Sequence, residues 1–306
     1  MILLARVGAE QAGMRLDDGA KLIFPQFSKG EIRRIIDWGG CNISQALVRV
    51  ASRALKEGDE IALGVMDQER CVELVYTKKE IIFEDKDFIA VYKAAGFNSQ
   101  RTPYQLKGTV EYAVDCYMKA IGLKDPARVV HRLDRGTSGV MFFPKHKQAA
   151  TMISNLLKEG KVEKTYWALV SGTPEQPEWK VDAPIGKLSK FKYGVAQAGK
   201  PARTLFRVIG AGDGVTMIEA RPLTGRTHQI RVHLSQGGFP IIGDEAYGGV
   251  PAPRMMLHCR SMRFTGAKGR IIEAVAPTDV AFTEESKACC PPLSTDKKGS
   301  FLSEVN

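Results

Sequence analysis

Along the chain, the spacing of apolar residues changes character near residue 70. In the first stretch, SKGEIRRIIDWGG predicts a helix, with Ile32, Ile35 and Ile36 on one face and Lys29, Arg33 and Arg34 on others. Ser28 stands where its hydroxyl can cap the first turn, and Gly39 and Gly40 stop the helix. Short strand-like pieces follow, ending in the turn Glu57-Gly58-Asp59 and the apolar run Ile61-Ala62-Leu63. Residues 1–65 therefore read as a compact module with one basic helix, and the polar stretch Met66–Cys71 as its linker.

Beyond the linker, strands alternate with helices. CVELVYT (71–77), FIAVY (88–92), VMFF (140–143), YWALV (166–170) and VTMIEA (215–220) are β-rich runs. A helix is expected from His146 to Glu159, with Ala149, Met152, Ile153, Leu156 and Leu157 on one face and Gly160 ending it. Hairpin-like and helix-linked strands together argue for an α+β domain over residues 72–282, with a mixed, largely antiparallel sheet flanked by helices. The segment 283–306 is polar and carries two adjacent prolines, so it is expected to be disordered. Cys289 and Cys290 within it acquire no role.

Composition narrows the class. The 306 residues, 44% hydrophobic and 25% charged, suit one medium catalytic domain beside a small accessory module. No apolar run reaches the roughly 18 residues that a membrane span needs, and the first residues turn polar too soon for a secretion signal. The six cysteines show no C-x-x-C spacing, so they read as reduced thiols in a cytoplasmic protein and neither as a disulfide frame nor as a zinc site. The net charge of +10 is uneven: residues 1–65 hold 9 basic and 8 acidic side chains, residues 265–306 hold 5 and 6, and the middle carries the whole surplus. That distribution suits a surface meeting a polyanion.

Three segments carry chemistry. His131-Arg132-Leu133-Asp134-Arg135-Gly136-Thr137-Ser138-Gly139 puts one carboxylate between two arginines in a loop ahead of an apolar strand. Flanking guanidinium groups favour the ionised carboxylate and also match phosphate oxygens; the plainer reading is an aspartate that fixes a turn. In LTGRTHQIRVHL (223–234), a helix from Thr227 would turn Ile230 and Leu234 inward and leave Arg226 at its mouth. Glu163-Lys164-Thr165-Tyr166-Trp167-Ala168 opens a strand whose tyrosine is either core or a stacking platform for a base.

Together these segments resemble the RluA family of pseudouridine synthases over roughly residues 75–280. HRLDRGTSGV is similar to that family's catalytic motif and implies that Asp134 is the catalytic residue. KTYWALV resembles the segment supplying the active-site tyrosine, here Tyr166. LTGRTHQIRVHL, with Gly238 to Asp244 and Tyr247-Gly248, resembles the third motif, whose arginine, matching Arg226, pairs with the catalytic aspartate. LHCRSMRF (257–264) is similar to the closing strand, so Leu257 would line the uracil pocket. The chain departs from the family at Lys93-Ala94-Ala95-Gly96, where K-P-A-G is common, and at Gln100, near where a histidine is usual. The N-terminal module resembles a small RNA-binding module shared with a ribosomal small-subunit protein and tyrosyl-tRNA synthetases, although Gly19 and Ala20 replace bulkier residues and Ser44-Gln45 stands where Asn-Gly is common.

The resemblance implies isomerisation of specific uridines to pseudouridine, which needs no cofactor and no metal. The target base must leave its stack, and Asp134 would either attack the anomeric carbon or remove the C2′ proton. Tyr166 would stack on the base. Arg132 and Arg135 would contact the RNA backbone or fill the gap left by the base, and Lys29, Arg33 and Arg34 would add salt-dependent phosphate contacts. Ribosomal RNA of the large subunit is the favoured partner and tRNA the alternative, for a monomer with no obligatory protein partner. Two other classes stand beside this one. A non-catalytic RNA-binding or ribosome-assembly protein would use the same basic surface. A metal-dependent hydrolase would use His131, Asp134, His228 and His233, but their spacing matches no H-E-x-x-H type of ligand set.

Overall fold

The computed structural model describes residues 2–64, 72–102, 104–189 and 192–288. The chain divides into two compact units, Met1–Val162 with Arg263–Ala276, and Glu163–Met262 with Pro277–Asn306.

The first unit begins with a four-stranded sheet, β1 (Ile2–Arg6), β2 (Cys41–Ile43), β3 (Ala46–Leu47) and β4 (Glu60–Gly64), in the order β1-β4-β2-β3. Helices α1 (Leu16–Ile23) and α2 (Lys29–Asp37) pack with it. Leu16, Ile32, Ile36, Ile43, Ile61 and Leu63 share one core, and burying each such side chain contributes roughly 1.5–3 kcal/mol. The expected cap is present: Glu31 N–H donates to Ser28 Oγ at 3.2 Å, and the Glu31 carboxylate accepts from Ser28 N–H at 2.7 Å. Gly39 then ends α2 at φ +80°, and a Cβ there would strike Leu106 at 2.3 Å. The contact belongs to a second feature: Leu106 N–H donates to Trp38 O at 2.6 Å and Lys107 pairs with Asp37. The stretch after residue 100 is thus packed onto the N-terminal module.

The rest of this unit is an antiparallel meander of β5 (Ile81–Glu84), β6 (Phe88–Lys93) and β7 (Ser138–Pro144), with helices α3 (Val110–Ala120) and α4 (Lys147–Lys158). All seven residues of β7 are buried. Phe88, Phe142 and Phe264 meet edge to face at 5.2–6.2 Å between ring centres. The expected helix between His146 and Glu159 is α4, with His146 as its N-cap and Glu159 as its C-cap.

In the second unit, β8 (Glu163–Ser171), β9 (Glu178–Asp182), β12 (Arg203–Gly212), β13 (Val215–Pro222) and residues 257–262 of β14 (Leu257–Thr265) lie in the order β14-β8-β13-β12-β9. A small hairpin, β10 (Ile185–Lys187) with β11 (Tyr193–Val195), stands apart from this sheet. Helices α5 (Gln229–Gln236) and α6 (Val280–Ser286) complete the unit, while β15 (Ile271–Val275) follows β14 in the first.

The α+β class and its largely antiparallel pairing match expectation. Two assignments need correction. Residues 72–77 form no strand; Val72 and Val75 are 51% and 63% exposed, and only Tyr76 is buried, its hydroxyl donating to Tyr92 O at 2.9 Å. One anchored residue gives no inward face for a ladder. Nor does order end at Phe282. Asp279 caps α6 by accepting from Phe282 N–H and also binds Arg254, while Phe282 is fully buried beside His258. The remaining tail, with Cys289 and Cys290, and the linker residues 65–71 lie outside the described residues. No helix among the described residues is long and apolar enough to cross a membrane.

Candidate active-site residues

In the first unit, Arg132, Asp134 and Arg135 share the loop that runs into β7. Asp134 is half-buried, and both arginines are exposed. The backbone around the carboxylate is fixed from several sides. Thr137 N–H donates to Asp134 O at 3.1 Å, closing a turn. Ser99 clamps the preceding residue twice, its hydroxyl donating to Leu133 O at 2.6 Å and accepting from Leu133 N–H at 3.0 Å. His131 Nε2 accepts from Phe142 N–H at 2.9 Å and so ties the loop's start to β7. Arg135 and Gly96 bond reciprocally, backbone to backbone and Nε to carbonyl, both at 2.8 Å.

Beneath the loop lies Lys93, which is fully buried. Its ammonium donates to the carbonyls of Ala94, Arg135 and Thr137 at 3.2, 3.1 and 2.6 Å. A buried cation is tolerated where fixed dipoles replace its hydration, and here two of the three come from the loop holding Asp134. Sequence reasoning met Lys93 only as the start of the segment that departs from K-P-A-G, and missed both its role and Ser99. The available signal was a lysine closing the apolar strand run FIAVY, a position otherwise expected to be buried.

The basic face of α2 is partly occupied within its own module. Asp17, with a fully covered side chain, accepts from Arg15 and from Arg33 Nε at 2.6 Å, and Lys29 reaches Asp17 and Asp18. Burial pushes the Asp17 carboxyl up, but the hydrogen bonds from Arg15 and Arg33 outweigh it and hold the pKa at about 2. Arg34 is exposed and has no side-chain partner among the described residues.

In the second unit, Tyr166 and Leu257 sit on the neighbouring strands β8 and β14, both well buried. Arg260 of β14 lies over the Trp167 ring of β8 at 4.6 Å, so by strand alternation Lys164 and Tyr166 share the opposite face with Leu257 and Cys259. Arg226 lies exposed in the loop before α5, its Nε donating to Pro201 O at 2.9 Å. That loop is organised by Gln229, another residue sequence reasoning passed over. Its carbonyl oxygen accepts from Thr224 Oγ1 at 2.6 Å and from Arg226 N–H at 3.0 Å, while its amide nitrogen donates to Arg203 O and Thr204 Oγ1, both at 2.9 Å.

The histidines have structural partners. His233 is buried, which lowers its pKa, and its ring nitrogens bond Thr204 Oγ1 and Ala183 O. Since a carbonyl only accepts, Nε2 carries the proton and Nδ1 accepts from Thr204. His228, at φ +57°, starts α5 two residues later than expected, and its Nδ1 meets the Tyr247 hydroxyl at 2.8 Å. Tyr247 lies under the Arg231 guanidinium, which is bidentate to buried Asp244 at 2.7 and 2.8 Å. No cluster of three His, Cys, Asp or Glu side chains able to hold a metal ion occurs among the described residues.

Residues 87–236 match the family model described as RNA pseudouridylate synthase. A ribosomal large subunit pseudouridine synthase D of Haemophilus ducreyi is 30% identical, over 97% of this chain and 96% of its own length. The chain belongs to the RluA family of RNA pseudouridine synthases. An uncharacterized RNA pseudouridine synthase of Zymomonas mobilis is 34% identical over 67% of this chain and 96% of its own. In fold, a structure of human RNA pseudouridylate synthase domain containing 4 superposes with a TM-score of 0.61 at 23% identity, covering 70% of this chain and 95% of that one. As a member of this family the protein is an isomerase acting on RNA.

Proposed function

We propose that the protein converts specific uridines of large-subunit ribosomal RNA to pseudouridine. The observation that carries this choice is the extent of the likeness to the H. ducreyi synthase, which reaches across 97% of the chain and so takes in the N-terminal module. That module's two helices on a small sheet, with Lys29, Arg33 and Arg34 on α2, support its reading as an RNA-binding element. The same reading assigns the protein to the cytoplasm, as a monomer without an obligatory protein partner.

In this reading Asp134 is the catalytic carboxylate. It acts at the sugar, either on the anomeric carbon or on the C2′ proton, and so releases uracil to turn and rejoin through C5. Held by Lys93 and Ser99, its loop keeps the carboxylate in place without rearrangement during the step. Arg226 is the cation proposed for that carboxylate, with its backbone set by Gln229. Tyr166 and Leu257 supply the surface for a base that has left its stack, and Tyr166 stands ready for the proton leaving C5. Arg132 and Arg135, exposed beside Asp134, meet the RNA backbone.

Transcripts of ribosomal RNA and tRNA carrying tritium at uracil C5 test this. Wild-type protein should release tritium from the ribosomal transcript, and Asp134→Asn should lose at least about 10²-fold in rate. Release from tRNA alone would move the substrate to that class. Equal release by both proteins would remove Asp134 from the chemistry, and binding without release by the wild type would favour an assembly factor.

A further inference from the structure

The protein's enclosed ammonium groups generally have acceptors. Lys93 has three carbonyls, and Lys145, with 11% of its side chain exposed, bonds Glu84 at 2.8 Å. Lys164 is different. It opens β8 two residues before Tyr166, on the same face, and burial lowers its pKa. Among the described residues it has neither a hydrogen bond nor an ion pair, and the one titratable group acting on it is the Cys259 thiol. A Cβ built on Gly225 would lie 4.0 Å from Lys164 Nζ, so the ammonium stands close to the loop at Gly225.

That loop adds backbone amide donors. Neither the Gly225 nor the Thr227 amide donates a hydrogen bond among the described residues. Its side-chain acceptors are taken: the Thr224 hydroxyl accepts from Arg203 N–H and donates to Gln229 Oε1, which also accepts from Arg226 N–H. A partly desolvated charge without a counter-charge is unfavourable until a partner arrives. An ammonium close to open backbone amides suits a phosphate oxygen, which accepts several bonds at once.

We propose that Lys164, with the amides of the Gly225–Thr227 loop, binds a backbone phosphate of the RNA at the nucleotide whose base occupies the Tyr166–Leu257 face. The inference rests on the reading of that face as the base site. It assigns Lys164 a binding role separate from that of Arg226, which is reserved for the carboxylate. Gly225 fits this assignment, since a side chain there would reach toward the ammonium.

The test measures two things on one unmodified large-subunit ribosomal RNA transcript: tritium release from uracil C5, and filter binding across a series of KCl concentrations. Lys164→Gln should bind more weakly and reduce the log–log salt slope by about 0.7–0.9, the value of one lost phosphate contact. Lys164→Arg should restore most of the slope. Thermal melting of both variants shows whether each is folded, and Lys164→Arg carries the test should Lys164→Gln unfold. An unchanged salt slope in a folded Lys164→Gln overturns the proposal even where the wild type releases tritium. A reduced slope without tritium release by the wild type leaves the phosphate contact standing and overturns the reading of the uridine site.

Discussion

At the residue scale, Lys93 joins stability to chemistry. Its ammonium is the internal counterpart for the carbonyls of Arg135 and Thr137, on the loop carrying Asp134. Removing the charge leaves the buried Thr137 carbonyl without this donor, at about 1–3 kcal/mol, while Arg135 O keeps its bond from Gly96 N–H. Lys93→Met keeps most of the side chain's volume, so its loss reports the bonds and not a cavity. Its melting temperature should fall and its turnover should drop while RNA binding, measured by filter retention, stays within about threefold of wild type. A variant that melts lower but turns over normally would show that the loop holds its geometry without the lysine. None of this was legible from residue types alone. Asp134 announces itself because an aspartate between two arginines is chemically conspicuous, whereas Lys93 and Ser99 act through backbone carbonyls and amides contributed by residues 34 to 44 positions away.

At the element scale, the legible parts were those encoded by neighbours in sequence. Both α2 and α4 follow from apolar spacing with a stop signal after it; Ser28 takes up its expected cap role, and His146, expected only as the start of α4, caps it. The elements that misled were decided by distant partners: 72–77 has strand-like composition but one buried side chain, and α6 exists because Phe282 enters the core and Asp279 meets Arg254. The β2–β3 turn lies between these cases. Ser44 and Gln45 both adopt left-handed backbone, at φ 48° and 69°, in a two-residue hairpin that favours Asn-Gly. Each ordinary residue in that region costs about 1 kcal/mol. Ser44→Asn with Gln45→Gly should therefore raise the melting temperature and stabilise the protein by roughly 1 kcal/mol in urea titrations. Ser44 Oγ accepts a long bond from Glu60 N–H at 3.4 Å, too weak to reverse the gain. No change, or a loss, would mean that the wild-type side chains make compensating contacts in the turn.

At the scale of the whole molecule, charge decides where RNA can be held. The surplus of +10 resides in residues 66–264, where 30 basic side chains face 20 acidic ones, so the N-terminal module's contribution depends on individual cations and not on net charge. Within α2 those cations divide. Arg33 is bonded to buried Asp17 at 2.6 Å, whereas Arg34 is exposed with no side-chain partner among the described residues. Arg33→Ala should behave as a structural lesion. Asp17, held at about 2 in the folded protein against 3.8 unfolded, contributes stability that is complete above about pH 4 and lost as pH falls toward 2. Losing one of its donors lets the carboxyl titrate higher, so the variant should unfold at a higher pH on acidification and melt lower at neutral pH. Arg34→Ala should melt within about 0.5 kcal/mol of wild type, yet bind ribosomal RNA transcripts more weakly with a log–log salt slope reduced by about 0.7–0.9. Because a phosphate contact carries no sequence information, that loss should be the same on every transcript. An Arg34→Ala protein with unchanged salt dependence would remove this position from the RNA-facing surface, and the basic helix would then serve the module's own fold.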